Sequence, residues 1–417
     1  MGRVRTAAKW AGVVAGSLGG LVAAWVAWVG LAPLPTYDVA APDLTVEVTA
    51  ARVERGKKIA SLLCSGCHYD AATGALSGRE APYPRMLGEF WSRNLTPGPT
   101  DGIGTWSDGQ LFAYLRTGVG PDGRQRFMGP EVHLADEDVL SVIAFLRSDD
   151  PWVRPVDNHL PPSKPSLMGK MVARQVLKAP PEFPGPPVPL PDPADPVALG
   201  RYVVVAEAGC WACHSGTSFN SIDLAHPEQT PDYLAGRMDE GPDGKPIWTQ
   251  NLTFDDETGL GQWSYEDFRR VVTRGFKRDG TVVRPPMTLF ADVSETEVAA
   301  VWAYLQTVPE IRKPRETPPN EVLAVADLSP GAAAYDRYGC PACHGDDGHL
   351  SCDLRGAHAK YADDAALEAF IRHPEAFVSP VKMPAWDGVV ADADWAPLVA
   401  HVRELGRQAS ADSASPP

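Results

Sequence analysis

Three times in 417 residues the chain repeats one pattern, Cys-x-x-Cys-His: Cys64-Ser65-Gly66-Cys67-His68, Cys210-Trp211-Ala212-Cys213-His214 and Cys340-Pro341-Ala342-Cys343-His344. Six of its seven cysteines lie in these pairs. A disulfide framework has no reason to place histidine directly after each pair. A zinc site uses such pairs two at a time within one small unit, whereas these stand more than a hundred residues apart. A thioredoxin-like redox motif follows a strand and does not recur three times. Covalent haem attachment does satisfy the pattern: two thiols add to the vinyl groups, the two intervening residues span them, and the adjacent imidazole comes to lie under the iron. The expectation is three covalent haem c groups, with His68, His214 and His344 as proximal ligands.

Internal repetition is the next signal. Trp91-Ser92-Arg93-Asn94-Leu95-Thr96-Pro97 matches Trp248-Thr249-Gln250-Asn251-Leu252-Thr253-Phe254, and each is followed by Gly-Ile/Leu-Gly and then Trp106-Ser107 or Trp263-Ser264. Asn to Trp spans twelve residues in both copies, and Trp to the next glycine, Gly118 or Gly275, twelve again. Each copy reads as helical. Ser107 with Gln110 and Ser294 with Glu297 are capping boxes, and Gly118 stands where a C-cap belongs. The closing helices show apolar faces at Val139, Val142, Ile143, Leu146 and at Val298, Val301, Trp302, Leu305. Helices are also predicted before the Cys pairs, over Val53 to Leu63, Leu199 to Ala208 and Gly331 to Tyr338. No run keeps a period of two, so the class is all-α.

The predicted organisation is a membrane anchor or signal peptide over 1–34, domains over 45–150, 197–309 and 329–407, linkers over 151–196 and 310–328, and a disordered tail over 408–417. The first linker holds fourteen prolines, which predicts an extended path with no regular helix. The third domain is shorter, 43 residues from Cys340 to Met383 against 64 from Cys64 to Met128 and 77 from Cys210 to Met287, and it lacks the Asn-Leu-Thr element.

Met128, Met287 and Met383 are the candidate sixth ligands. Each stands beside proline or one residue from it, between the Cys pair and the closing helix, and Met128 and Met287 each lie eighteen residues before the aligned Leu146 or Leu305. A thioether ligand raises the potential and suits electron transfer; the bland alternative for a Met is core filler. In the third domain His349, His358 and His373 compete with Met383. Trp106, Trp263, Phe145 and Tyr304 are expected around the cofactor or in ordinary core. Asn94 and Asn251 read as turn formers before hydrogen-bond partners, and Cys352, the unpaired seventh, as an inert thiol.

Arg3, Arg5 and Lys9 precede an uncharged run from Trp10 to Tyr37, long enough for a membrane-spanning helix with interfacial Trp10, Trp25 and Trp28. The competing reading is a signal peptide cut after Gly30-Leu31-Ala32. Both send the rest of the chain out of the cytoplasm, to the periplasm in a Gram-negative cell. A formal charge of −15 argues against nucleic acid and is compatible with a basic partner or with simple solubility.

These motifs resemble tandem class I cytochrome c domains. Their arrangement over most of residues 50 to 406 is similar to the triple-haem cytochrome c subunit of membrane-bound alcohol-, gluconate- and sugar-type dehydrogenases. The resemblance implies haem attachment at the three Cys pairs, the His and Met ligands above, a dehydrogenase donor, and a quinone or other respiratory carrier as acceptor. On this reading the chain is an electron-transfer subunit and not an enzyme by itself. The alternatives are a subunit of a respiratory oxidase or reductase, or a haem peroxidase with one open haem.

Overall fold

The computed structural model describes residues 2–81, 83, 85–98, 100–126, 128, 130–176, 180–217, 221–241, 244–314, 328–348, 350, 354, 356–378 and 383–412. His349 and Cys352 lie outside them, as does most of the 310–328 linker. The chain forms two compact units, residues 1–60 with 64–190, and 61–63 with 191–417. The division falls inside the Pro-rich 151–196 stretch.

The first unit contains α1 (Gly2–Leu31), α2 (Ala50–Leu63), α3 (Ser65–His68), α4 (Asp108–Thr117), α5 (Asp136–Leu146) and α6 (Leu167–Val176). Its only described strands, β1 (Gly88–Glu89) and β2 (Lys164–Pro165), pair antiparallel over two residues each. Among the described residues no helix is long and apolar enough to cross a membrane.

The second unit holds α7 (Pro196–Tyr202), which widens into a π-helical turn over Val203–Glu207, then α8 (Cys210–His214), α9 (Tyr265–Arg274), α10 (Glu295–Leu305), α11 (Pro330–Arg337), α12 (Pro341–His344), α13 (Ala357–Lys360), α14 (Asp364–Arg372) and α15 (Asp392–Asp412). A short hairpin pairs β3 (Met238–Glu240) with β4 (Pro246–Trp248). Two hydrophobic clusters lie in this unit. One gathers Val204, Leu234, Leu260, Val298 and Leu305, the other Tyr335, Leu367, Trp395, Leu398 and Val402. Phe276 and Val282, from the loop after α9, are buried in the second cluster, with Phe276 edge-on to Trp386 at 5.3 Å.

The capping boxes form as the spacing requires. Ser107 Oγ accepts from Gln110 N while the Gln110 side chain accepts from Ser107 N; Ser264 with Asp267 and Ser294 with Glu297 do the same. Gly118 and Gly275 close their helices at φ 71° and 80°, a left-handed conformation that glycine adopts without a Cβ penalty.

One geometry occurs three times. A Cβ on Gly56 of α2 would lie 2.0 Å from the Ser141 carbonyl oxygen of α5, one on Gly200 of α7 1.9 Å from that of Ala300 in α10, and one on Gly331 of α11 2.4 Å from that of Pro397 in α15. In each case the next residue met is one helical turn on, through its Cβ at 2.8 Å: Phe145, Tyr304 or His401. The helix before each Cys pair thus crosses the closing helix in backbone contact, which only glycine at the crossing allows.

Two expectations are corrected. The Pro-rich stretch does contain a helix, α6, because its prolines fall before 166 and after 179 and leave Leu167 to Ala179 free of them. The stretch is also not a free linker at its start: Trp152 is buried and its carbonyl accepts from Leu76 N at 2.7 Å. At the other end, residues 408–412 continue α15, with Gln408 Nε2 donating to Glu404 Oε1 one turn back at 3.0 Å.

Candidate haem-binding sites

Each Cys pair sits on a one-turn helix, α3, α8 or α12, directly after the long helix that makes the glycine crossing. In the first site the backbone closes the turn onto the first cysteine, His68 N donating to Cys64 O at 2.9 Å; in the second, Ala212 N donates to the carbonyl of Gly209, the residue before the first cysteine, at 3.0 Å. In the third, His344 N donates to Cys340 O at 3.1 Å.

The imidazoles of the first two sites are buried and held in matching ways. His68 Nδ1 lies 2.7 Å from Arg93 O, and His214 Nδ1 lies 2.7 Å from Gln250 O. Arg93 and Gln250 each directly precede the asparagine of Asn-Leu-Thr. A carbonyl can only accept, so Nδ1 carries the proton and Nε2 keeps its lone pair. Burial lowers the pKa of both imidazoles, which keeps them neutral. A neutral imidazole with a fixed tautomer and a free Nε2 fits an iron ligand. Burial also pushes the Cys64, Cys210 and Cys340 thiols up to about 12, so they stand as neutral thiols rather than free thiolates. The donor set therefore fits haem c.

Asn94 and Asn251 do more than form turns. Asn94 Oδ1 accepts from Thr96 N at 2.9 Å, the expected local turn, while its Nδ2 donates to Val156 O at 2.7 Å. Val156 N returns the bond to Thr96 Oγ1 at 3.1 Å. In the second copy Asn251 Nδ2 donates to Ile311 O at 2.7 Å and Ile311 N to Thr253 Oγ1 at 3.1 Å. The element thus clasps the chain that leaves the closing helix, and all four side chains are buried. The clasp partners and the two carbonyls that orient the imidazoles are functional positions that sequence reasoning missed. The only signal was the repeat itself.

The methionines lie as follows. Tyr114 Oη donates to Met128 Sδ at 3.9 Å. The segments after Met128 and Met287 return to the last turn of the preceding helix, Glu131 N to Leu115 O at 2.7 Å and Phe290 N to Val272 O at 3.0 Å. Buried Arg116 ties the first of these down through Glu131 O and Leu134 O at 2.7 and 2.6 Å. Met287 packs on the same cluster as Cys210 and Ala212, and Met383 on the same cluster as Cys340 and Ala342. Of the competing histidines, His373 is exposed, with Nδ1 3.3 Å from Glu375 Oε1 and Nε2 3.9 Å from Asp387 Oδ2. His358 Nδ1 is buried with no hydrogen-bond partner among the described residues. Phe145 and Tyr304 are core side chains at the helix crossings, Phe145 against Trp152 and Tyr304 Oη 3.0 Å from Tyr233 Oη. Trp106 stands edge-on to Tyr114 at 5.4 Å, and Trp263 borders the core of its copy.

Residues 53–149 match the cytochrome c family model, and residues 326–402 the model described as cytochrome c oxidase, cbb3-type, subunit III. The chain carries helical cytochrome c domains. Such domains bind haem c covalently, in agreement with the donor set above. The chain is similar to the fructose dehydrogenase cytochrome subunit of Gluconobacter japonicus, 27% identical over 70% of this chain and 63% of that protein. It thus spans just under two thirds of that relative. It is also similar to the alcohol dehydrogenase (quinone) cytochrome c subunit of Gluconobacter oxydans (27% identity, 85% of this chain, 78% of that one). The gluconate 2-dehydrogenase cytochrome c subunit of Pantoea cypripedii is 28% identical over 74% of this chain and 72% of its own length. This cytochrome therefore resembles cytochrome c subunits of dehydrogenase complexes.

Proposed function

We propose that this cytochrome relays electrons from a dehydrogenase to a quinone or another respiratory carrier, through three haem c groups in three tandem domains, 45–150, 197–309 and 329–407. The observation that carries this reading is the paired Nδ1-to-carbonyl contact of His68 and His214, which leaves Nε2 of each as a ligand. His344 takes the same place after the third Cys pair, and Met128, Met287 and Met383 supply the sixth ligands. The threefold glycine crossing supports three domains although the chain forms only two compact units: the second unit contains two crossings and two clusters. When bound, haem c supplies a one-electron couple. The chain's own residues attach it, hold each imidazole in one tautomer, surround it with low-dielectric packing and present surface to partners.

The uncharged run of α1 acts as an uncleaved membrane anchor, with the basic N-terminus in the cytoplasm and the haem domains outside, in a Gram-negative cell in the periplasm. The match of residues 326–402 to an oxidase subunit model favours a second reading, a respiratory oxidase subunit; the relatives described as dehydrogenase subunits outweigh it.

Haem quantification on purified holoprotein is expected to give three per chain, and two after C210A/C213A. Two haems in the unmodified chain would sink the three-domain reading. Electron paramagnetic resonance is expected to show low-spin His–Met signatures; a His–His signature for the third haem would replace Met383 by His358. Co-purification from detergent-solubilised membranes is expected to bring a dehydrogenase and not an oxidase core.

A further inference from the structure

The last turn of a helix leaves four carbonyls without intrahelical partners. At the end of α1 one of these, that of Gly30, and the two carbonyls just beyond the helix are met by α6, from the Pro-rich stretch. Lys170 Nζ donates to Gly30 O, and Arg174 Nη2 to Ala32 O at 2.7 Å and Pro33 O at 3.2 Å. The Arg174 guanidinium also stacks 4.4 Å from the centre of the Trp28 ring. Two cations one turn apart thus close the negative end of the α1 dipole. On its inner side α6 is locked to the first domain: a Cβ on Gly169 would lie 2.0 Å from Leu87 O, Ala173 is buried, and Ser166 Oγ donates to Met86 O at 2.7 Å.

The outer side is unlike a water-facing surface. Met86, Leu167 and Met168 are 62%, 42% and 45% exposed, and Leu167 Cδ1 lies against Gly30, so this apolar surface runs on from exposed Trp28 and Leu31 of α1. Beside it stand exposed Arg85 and Lys164, the latter 3.9 Å from Glu89. Large apolar side chains next to cations, with tryptophan at the same level, match the boundary between acyl chains and phosphate headgroups.

We propose that α6 and the Arg85–Leu87 turn form an in-plane platform on an anionic phospholipid surface, resting where α1 leaves the bilayer and holding the first haem domain at a set height above it. The proposal rests on the reading of α1 as an anchor. Met86, Leu167 and Met168 enter the headgroup boundary, Arg85 and Lys164 meet phosphate, and Lys170 with Arg174 remain committed to the end of α1. Because α6 is locked to the domain, the contact orients a haem domain and not merely a tether.

The test uses full-length holoprotein in nanodiscs containing phosphatidylglycerol, with hydrogen exchange read over residues 164–176 and membrane retention read by carbonate extraction. Wild type is expected to exchange in this segment at least about fivefold more slowly than M86E/M168E, both being retained by α1 and both keeping full haem content. Equal exchange in the two retained proteins would overturn the platform while leaving the anchor intact. Release of wild type by carbonate would overturn the anchor, and the platform with it. Slowing that persists unchanged in phosphatidylcholine discs would overturn the assignment to anionic lipid.

Discussion

The first and second candidate haem sites share a device built on Asn-Leu-Thr, an element that the sequence of the third lacks. Both place the residue before Asn-Leu-Thr so that its carbonyl holds the proximal imidazole, and both use the asparagine and threonine to clasp the chain leaving the closing helix. The third has no Asn-Leu-Thr, yet its helices cross at Gly331 just as the others cross at Gly56 and Gly200. The helix crossing is therefore what the domain needs in order to form. The clasp is an addition that secures the chain leaving the closing helix.

The comparison can be broken most decisively at the crossings. Gly56→Val, Gly200→Val and Gly331→Val should each destabilise their domain by about 3 kcal/mol or more, since the obstacle is backbone that cannot step aside. Thermal unfolding followed at the haem absorption band would show it. A neutral Gly331→Val would mean that the third domain is built differently after all. Next in size, Asn94→Ala and Asn251→Ala should each cost about 1–3 kcal/mol, because a buried carbonyl and hydroxyl lose partners. Each should also speed hydrogen exchange around Val156 or Ile311. An Asn variant that changes neither would reduce the clasp to a turn.

A third expected effect separates the first site from the second by pH. Burial raises the Glu131 carboxyl from its ordinary 4.5 to about 7, with Arg116 opposing, and Glu131 neighbours Cys64. The unfolded chain loses this proton first as pH rises. The contribution is therefore complete below about 4.5 and is lost as pH climbs through about 7, with a span of about 3 kcal/mol. Glu131→Gln should flatten that slope in urea titrations run at several pH values; an unchanged slope would assign it to other groups.

The smallest expected effect lies at Tyr114, whose hydroxyl donates to Met128 Sδ, while Val271 holds the corresponding position in α9. Tyr114→Phe should free the sulfur lone pair, favour the oxidised state and lower one potential by roughly 20 mV, the equivalent of a bond of about 0.5 kcal/mol. Redox titration would resolve it. A shift in two haems at once would contradict the assignment of Met128 to one site.

Much of this was legible in the residues. Cys-x-x-Cys-His carries its chemistry within five positions, and Ser107 with Gln110 or Ser294 with Glu297 make a helix start from contacts three residues apart. Local signals of this kind need no knowledge of the rest of the chain. Gly56, Gly200 and Gly331 were visible as letters but silent as signals, since what forbids a side chain there is a carbonyl 66 to 100 residues away in sequence. The helix α6 was hidden by the prolines flanking it, and the asparagines looked like turn formers because half of what they do is a turn.

By itself, then, the sequence determined the attachment pattern, the all-α class, the caps and the twofold likeness of the first two copies, because those depend on groups near one another along the chain. The tertiary structure alone decided which carbonyl sets each imidazole's tautomer, which backbone the asparagines clasp, and where Lys170 and Arg174 find the end of α1. Hydrogen bonds are short-ranged, and the chain distance between two partners says nothing about whether folding brings them within 3 Å.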